Sequence, residues 1–426
     1  TLKWLALLAH RLKVDTGLLK KIATFPTDKF PPELRDELLY LIGRHYFNIG
    51  DGVRAASYLG EVTPRSRYFA KAKYFVGLVA VKDDNAKAAV KAFRTVIDID
   101  DAGGYEGAAK VKEMGALALA RAYYSVERFP LAEQRYAAIR RESPLWLDSL
   151  FESSWTYFRQ RKYEKAMGNL FTLNTPFFEK EYYPESSIVQ AVILFRNCKY
   201  ARVRKTLGKF QQVFAALEKK LSEFIDKKGN TTATFWQLYE DLGAGKPVFG
   251  APAAPKSGAP GAPASDVQIE QVIGITLADN VLGNYREYLQ LLDKELESIK
   301  GASKSFKDHP LAKNLYQEVS VQRSLAVNEA GKHAKTRFTR ARDQIRDLLR
   351  QADTILFEVE NGEKNKLEEE LVREQEVADA SLAGGKKIPK RTDVPNGMQY
   401  WPFEGEFWRD ELGSYEYQIR SDCRRR

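Results

Sequence analysis

The sequence predicts an all-α protein: a stack of about five helix pairs, then an antiparallel coiled-coil helical arm, then an aromatic-rich C-terminal tail. Three observations carry this. Small and apolar residues recur at one fixed internal spacing between residues 43 and 210, heptad spacing runs through residues 282–359, and seven aromatics crowd residues 400–417. The chain has 426 residues, 44% of them hydrophobic, enough for a sizeable core and for two or three units. It contains no run of 18 apolar residues. Thr1 stands where Met would, so a removed signal peptide is compatible with the sequence, and residues 1–32 read as N-terminal capping helices.

The repeat is anchored at Gly43, Gly77, Ala120, Ser154 and Ala191. Three residues after each anchor stand Tyr46, Ala80, Tyr123, Tyr157 and Leu194. Twelve residues after come Ala55, Ala89, Ala132, Ala166 and Val203, and nineteen after come Val62, Val96, Ile139, Leu173 and Phe210. The anchors lie 34 residues apart twice, with longer steps of 43 at "DIDDAGGYEG" and 37 after "NTPFFEKEYYPESS". Small residues where two short helices meet, an aromatic between them and a 34-residue unit resemble the tetratricopeptide repeat. "LARAYYSVERFPLAEQRYAAIRRESP" is the fullest copy, although the Trp at the family's first position is absent from every unit.

The resemblance implies five units over residues 33–217, each pair burying its apolar face only by stacking, with a concave surface lined by the first helix of each pair. Carried over position by position, the groove residues are Tyr40, Arg44, Phe47, Lys71, Tyr74, Lys82, Arg121, Tyr124, Phe151, Trp155, Phe158, Arg159, Phe195 and Arg196. Rings interleaved with Arg and Lys suit an acidic or amphipathic protein segment. The same rings also suit a core between helices.

Residues 218–243 read as a helical extension. Residues 244–265 are Ala, Gly, Pro or Ser at 18 of 22 positions and read as a flexible insert. Residues 266–382 form the arm. Leu282, Tyr285, Leu289, Leu292, Leu296 and Ile299 alternate by 3 and 4, and Phe338, Ala341, Ile345, Leu348, Ala352, Ile355 and Val359 repeat the alternation. A continuous helix from about Leu311 to Leu382 outruns its partner, so part of it packs on the helix after the repeats or on another protein. Arg342, Arg346 and Arg350 share one face, which fits either a solvated surface or an anionic one such as lipid.

Residues 383–426 form a connector and an acidic aromatic tail in which Trp401, Phe403, Phe407 and Trp408 mix with Glu404, Glu406, Asp410 and Glu411. It docks on this chain outside the groove, within the groove, or on a partner. The terminal "YWPFEGEFWRDELGSYEYQIRSDC" resembles the closing segment of tetratricopeptide proteins of myxobacteria and related bacteria, including envelope components of gliding motility machinery. That resemblance implies a periplasmic scaffold; the cytoplasm is the alternative location.

No phosphate loop, nucleophile elbow or H-E-x-x-H pairing is present, and "GAGKP" at 243–247 lacks the rest of a phosphate-loop spacing. No enzyme activity, cofactor or metal is expected. Cys198 and Cys423 lack zinc spacing and fit either a reducing compartment or a single bridge. The net charge of +10 is spread among alternating acids, so nucleic acid is not an expected partner, nor is a small-molecule substrate. The reading is a non-enzymatic scaffold or adaptor for other proteins in a multi-protein complex. The alternatives are a peripheral membrane-surface adaptor working through the basic stripe and, in another class, an enzyme of cell-wall glycan processing or its accessory.

Overall fold

The computed structural model describes Trp4 and residues 17–99, 108–178, 181, 183–244, 280–379, 398–401, 403–419 and 421–423. About half of the expected N-terminal cap, nearly all of the insert, the start of the arm and the connector therefore lie outside the described residues. Among the described residues there are fifteen α-helices and no strand. After a short α1 (Leu18–Ile22) come five hairpins: α2 (Arg35–Asn48) with α3 (Gly52–Gly60), α4 (Phe69–Lys82) with α5 (Ala86–Ile97), α6 (Ala108–Ser125) with α7 (Phe129–Ala137), α8 (Trp146–Arg159) with α9 (Tyr163–Leu173), and α10 (Glu185–Arg196) with α11 (Tyr200–Ile225). Then follow α12 (Thr232–Gly243), α13 (Asn280–Gly301), α14 (Lys304–Asp308) and α15 (Pro310–Asp379).

The spacing in the sequence becomes contact between helices. A Cβ at Gly43 would lie 2.6 Å from Leu59, and one at Gly77 would lie 2.4 Å from Phe93, so each pair crosses where only a small residue fits. The anchors Ala120, Ser154 and Ala191 are fully buried, as are Ala55, Ala89, Ala132, Ala166 and Val203 twelve residues after each anchor. A further position, sixteen after the anchor, completes every crossing with Leu59, Phe93, Tyr136, Leu170 and Leu207. Its residues vary in type, which hides it from a search for identical letters.

All five hairpin turns close alike. Gly50, Asp84, Glu127, Arg161 and Cys198 are left-handed, and each donates its N–H to the carbonyl three residues back, from Gly50 to Phe47 through Cys198 to Phe195. The next N–H reaches five residues back: Asp51 to Tyr46, Asn85 to Ala80, Arg128 to Tyr123, Lys162 to Tyr157, and Lys199 to Leu194. This is the Schellman closure, which satisfies carbonyls at a helix C-terminus. Four of the five turns place a side chain where glycine is the unstrained choice. Asp51 and Asn85 then cap the following helices by accepting from Arg54 N and Ala88 N at 3.0 Å.

Helix α15, 70 residues and about 105 Å long, holds the second half together. Its first part runs antiparallel to α13, with Arg323 on Asp293 and Tyr285 against His333, and receives α12 at Gly331, where a Cβ would lie 2.0 Å from the Thr232 carbonyl oxygen. The second heptad series does not face α13. It runs antiparallel to α11: Arg342 pairs with Asp226 at 3.5 Å, Arg346 with Glu218 at 2.6 Å, Gln211 with Asp353 at 2.8 Å, and Arg204 with Glu363. Leu348, Ala352 and Val359 enter the core of the fourth and fifth hairpins. Heptad spacing marks an apolar seam without naming its partner, and here the seam changes partner along one helix. Phe338 sits at the change, fully buried between Phe224 and Phe235.

Phe338→Ala is expected to cost about 3–5 kcal/mol and to loosen α12 and α15 together, read as a lower midpoint in chemical denaturation. Arg161→Gly, at a left-handed turn, is expected to raise stability by about 1 kcal/mol in the same measurement, while Arg161→Val lowers it.

Candidate functional site

The first helices of neighbouring hairpins touch each other, α2 with α4, α4 with α6 and α8 with α10, and so form one face of the stack. All fourteen residues of the expected groove are on these helices, but their circumstances divide them. On α2 and α4, Tyr40 is buried and stacks on Tyr68, its hydroxyl pKa pushed up by burial, with the Arg44 guanidinium over its ring. Lys82 lies 3.9 Å from the centre of the Phe47 ring. Phe75 meets both Tyr40 and Phe47 edge-on, and Tyr74 flanks it. No carboxylate pairs with Arg44, Lys71 or Lys82 among the described residues.

Farther along the face the cations are spent internally. Arg121 grips the Glu152 carboxylate with two nitrogens, and that hydrogen bond raises its pKa. Tyr136 donates to the same carboxylate at 3.1 Å, and burial raises its pKa strongly. Arg159 pairs with Glu127 at 2.6 Å and covers Phe129, against which Tyr124 packs. Phe151, Trp155, Phe158 and Phe195 are half-buried members of the apolar cluster that also holds α15. Arg196 is exposed. These later aromatics thus spend much of their surface on packing, and of the later groove cations only Arg196 has no carboxylate partner among the described residues.

The tail lies on the opposite helices of the hairpins. Trp401, Phe403, Phe407 and Tyr415 surround Phe171 of α9 with ring centres 5.1–6.5 Å away, and Trp408 stacks on Trp401. Tyr417 N donates to the Glu164 carbonyl at 3.1 Å, Gly413 N to the Thr172 hydroxyl at 3.0 Å, and Asp422 N to the Asn197 carbonyl at 3.0 Å. Arg141 donates to the carbonyls of Arg409 and Asp410, Lys199 pairs with Asp422, and Arg202 donates to the Tyr417 hydroxyl. A disulfide joins Cys198 to Cys423. Of the three placements open to the tail, this one is on the chain and outside the first-helix face.

Gly168 is what permits the approach, since a Cβ there would sit 1.6 Å from the Tyr415 carbonyl oxygen. Gly413, left-handed at φ 87°, passes Trp146 closely, where a Cβ would lie 2.7 Å from the indole. The sequence reading missed Phe171, Gly168 and Thr172. The available signal was a glycine and an aromatic on one helical face of α9 in excess of what the repeat requires. The Cys198 partner was also open, because nothing in the spacing brings residue 423 to a hairpin turn.

Between the tail and the connections before and after the fourth hairpin is a cavity of about 970 Å³ walled by Arg141, Trp146, Phe177, Tyr183, Asp410 and Leu412. The Tyr183 hydroxyl donates to Asp148 at 2.8 Å, and burial raises its pKa. The stripe of Arg342, Arg346 and Arg350 is paired with acids: Arg342 with Asp226 at the end of α11, Arg346 with Glu218 of α11, and Arg350 with Asp347 on its own helix. Among the described residues no group of His, Cys, Asp and Glu could hold a metal ion, and no helix is long and apolar enough to cross a membrane. No protein-family model matches the chain, and no curated protein matches it.

Gly168→Val is expected to lift the tail from α9 while the hairpins stay helical. Hydrogen exchange at Gly413 and Tyr417 should quicken at least about tenfold, the scale of losing a docked contact worth about 1.4 kcal/mol, with far-ultraviolet dichroism unchanged.

Proposed function

We propose that this chain is a non-enzymatic scaffold built on tetratricopeptide-like repeats, and that it holds an acidic aromatic segment of another protein on the first-helix face of its first two hairpins. The observation that carries this is Arg44 and Lys82, held over the rings of Tyr40 and Phe47, with Lys71 on the same helix as Lys82; none of the three has a carboxylate partner among the described residues. A cation already held against a ring loses less freedom when it binds a carboxylate, and the ring supplies apolar area beside it. The self-paired Arg121 and Arg159 have no such free valence and serve the stack itself.

A superhelical stack with a concave inner surface gives such a segment room to lie extended over several helices. The arm would present a second surface for another member of the assembly. Placement in a bacterial envelope machine of the gliding type rests on the resemblance of the terminal stretch. The Cys198–Cys423 bridge supports an oxidising compartment such as the periplasm, where such bonds persist. The membrane-surface alternative draws less support, because Arg342 and Arg346 are committed to α11.

The test is titration of the folded chain with a synthetic peptide alternating Glu with Trp and Phe, followed by calorimetry at low and high salt. Binding that weakens with salt, and at least about tenfold in the Arg44→Glu, Lys71→Glu, Lys82→Glu variant, is expected from the loss of three charge contacts. Binding indifferent to these changes, in variants of normal helicity, would remove the groove from the reading.

A further inference from the structure

The docked tail has an outer side. Tyr400, Phe403 and Trp408 keep 59%, 48% and 45% of their surface exposed, although the same segment buries Leu412 and surrounds Phe171. Glu404, Asp410 and Glu411 are exposed beside them, with Arg409 the one exposed base among them, and none of the three carboxylates has an ion-pair partner among the described residues. Glu406 differs: hydrogen bonds from its own backbone N–H, from the Trp401 indole and from Glu404 N lower the pKa of its carboxylate and shape the loop. The tail thus holds itself on α9 and presents an acidic and aromatic side outward, with Phe403 taking part in both.

This outward set is the counterpart of the face on the first two hairpins. Three carboxylates without an ion-pair partner, beside exposed rings, stand at one end of the stack, and three cations without a carboxylate partner, two of them over rings, stand at the other. They cannot meet within one chain as folded, since the bridge to Cys198, the hydrogen bonds to Glu164, Thr172 and Asn197 and the rings around Phe171 hold the tail on the fourth and fifth hairpins. From the complementarity of the two surfaces, and resting on the groove reading above, we propose that the partner on the first two hairpins is a second copy of this chain, which contributes its docked tail face.

Such a contact joins two different surfaces. It is heterologous, so it propagates head to tail and closes into a ring or extends as a filament according to the rotation between neighbours. The net charge of +10 opposes association of copies, and the paired acidic and basic patches offset that repulsion locally. Charges at the rim of such a contact are screened over about 10 Å at 0.1 M salt, so assembly weakens as salt rises.

The experiment is sedimentation velocity on the oxidised full chain over a concentration series at low salt, with two charge-reversed variants. One carries Arg44→Glu, Lys71→Glu and Lys82→Glu; the other carries Glu404→Lys, Asp410→Lys and Glu411→Lys. The wild type is expected to sediment faster as concentration rises, and each variant alone to associate at least about tenfold more weakly. Mixing the two variants restores association, because the first keeps its acidic tail face and the second keeps its basic helix face. Fluorescence titration with the Glu, Trp and Phe peptide separates the two readings. A wild type that remains monomeric while binding that peptide overturns self-assembly and leaves the groove in place. A monomer that binds no peptide overturns both, and self-association untouched by either reversal overturns the proposed surfaces.

Discussion

The packing of α15 against the last hairpin is the contact on which the remainder depends. A stack of helix pairs buries each pair's apolar side only against the next, so its final member always has an open flank. Here α11 is 26 residues long, much longer than the second helices before it, and α15 covers it from Asp226 back to Tyr200. Leu348, Ala352 and Val359 occupy the position that another repeat would fill, and a helix from the far end of the chain closes the stack. The same helix then serves as the support on which α12 and α13 assemble, so stack and arm share one continuous element.

Much of this was legible in the residues. The anchors and the positions twelve and nineteen beyond them are interior because helix crossings demand small and apolar side chains at fixed places, and a fixed demand leaves a periodic mark. The left-handed turns leave none: Gly50, Asp84, Glu127, Arg161 and Cys198 share a backbone shape while sharing no side-chain property. The second heptad series was visible as a seam, but Phe338 through Val359 carry no mark that says α11 rather than α13. Partner choice there is settled by geometry over more than a hundred residues of intervening chain.

The candidate faces were legible in part, for a different reason. The internal repeat places Arg44 and Arg121 at equivalent positions, one residue after Gly43 and Ala120, yet Glu152 neutralises one and no described carboxylate reaches the other. Whether a surface cation is available depends on what the neighbouring hairpin supplies, and that is a property of the stack. The tail shows the converse. Its aromatic density announced that it must pack, while the receptor, Phe171 beside Gly168, lies in a helix whose sequence otherwise serves the repeat.

The bridge between Cys198 and Cys423 has a mechanical meaning as well. Tension applied near residue 423 enters the polypeptide at the turn between α10 and α11 and travels toward the N-terminus through the hairpins. The 224 residues between the two cysteines, including α11, α12, α13 and all of α15, stand outside that load path. A chain so wired can be pulled at its tail without drawing out its arm, so a partner seated on the arm would feel no strain from a neighbour that tugs on the tail.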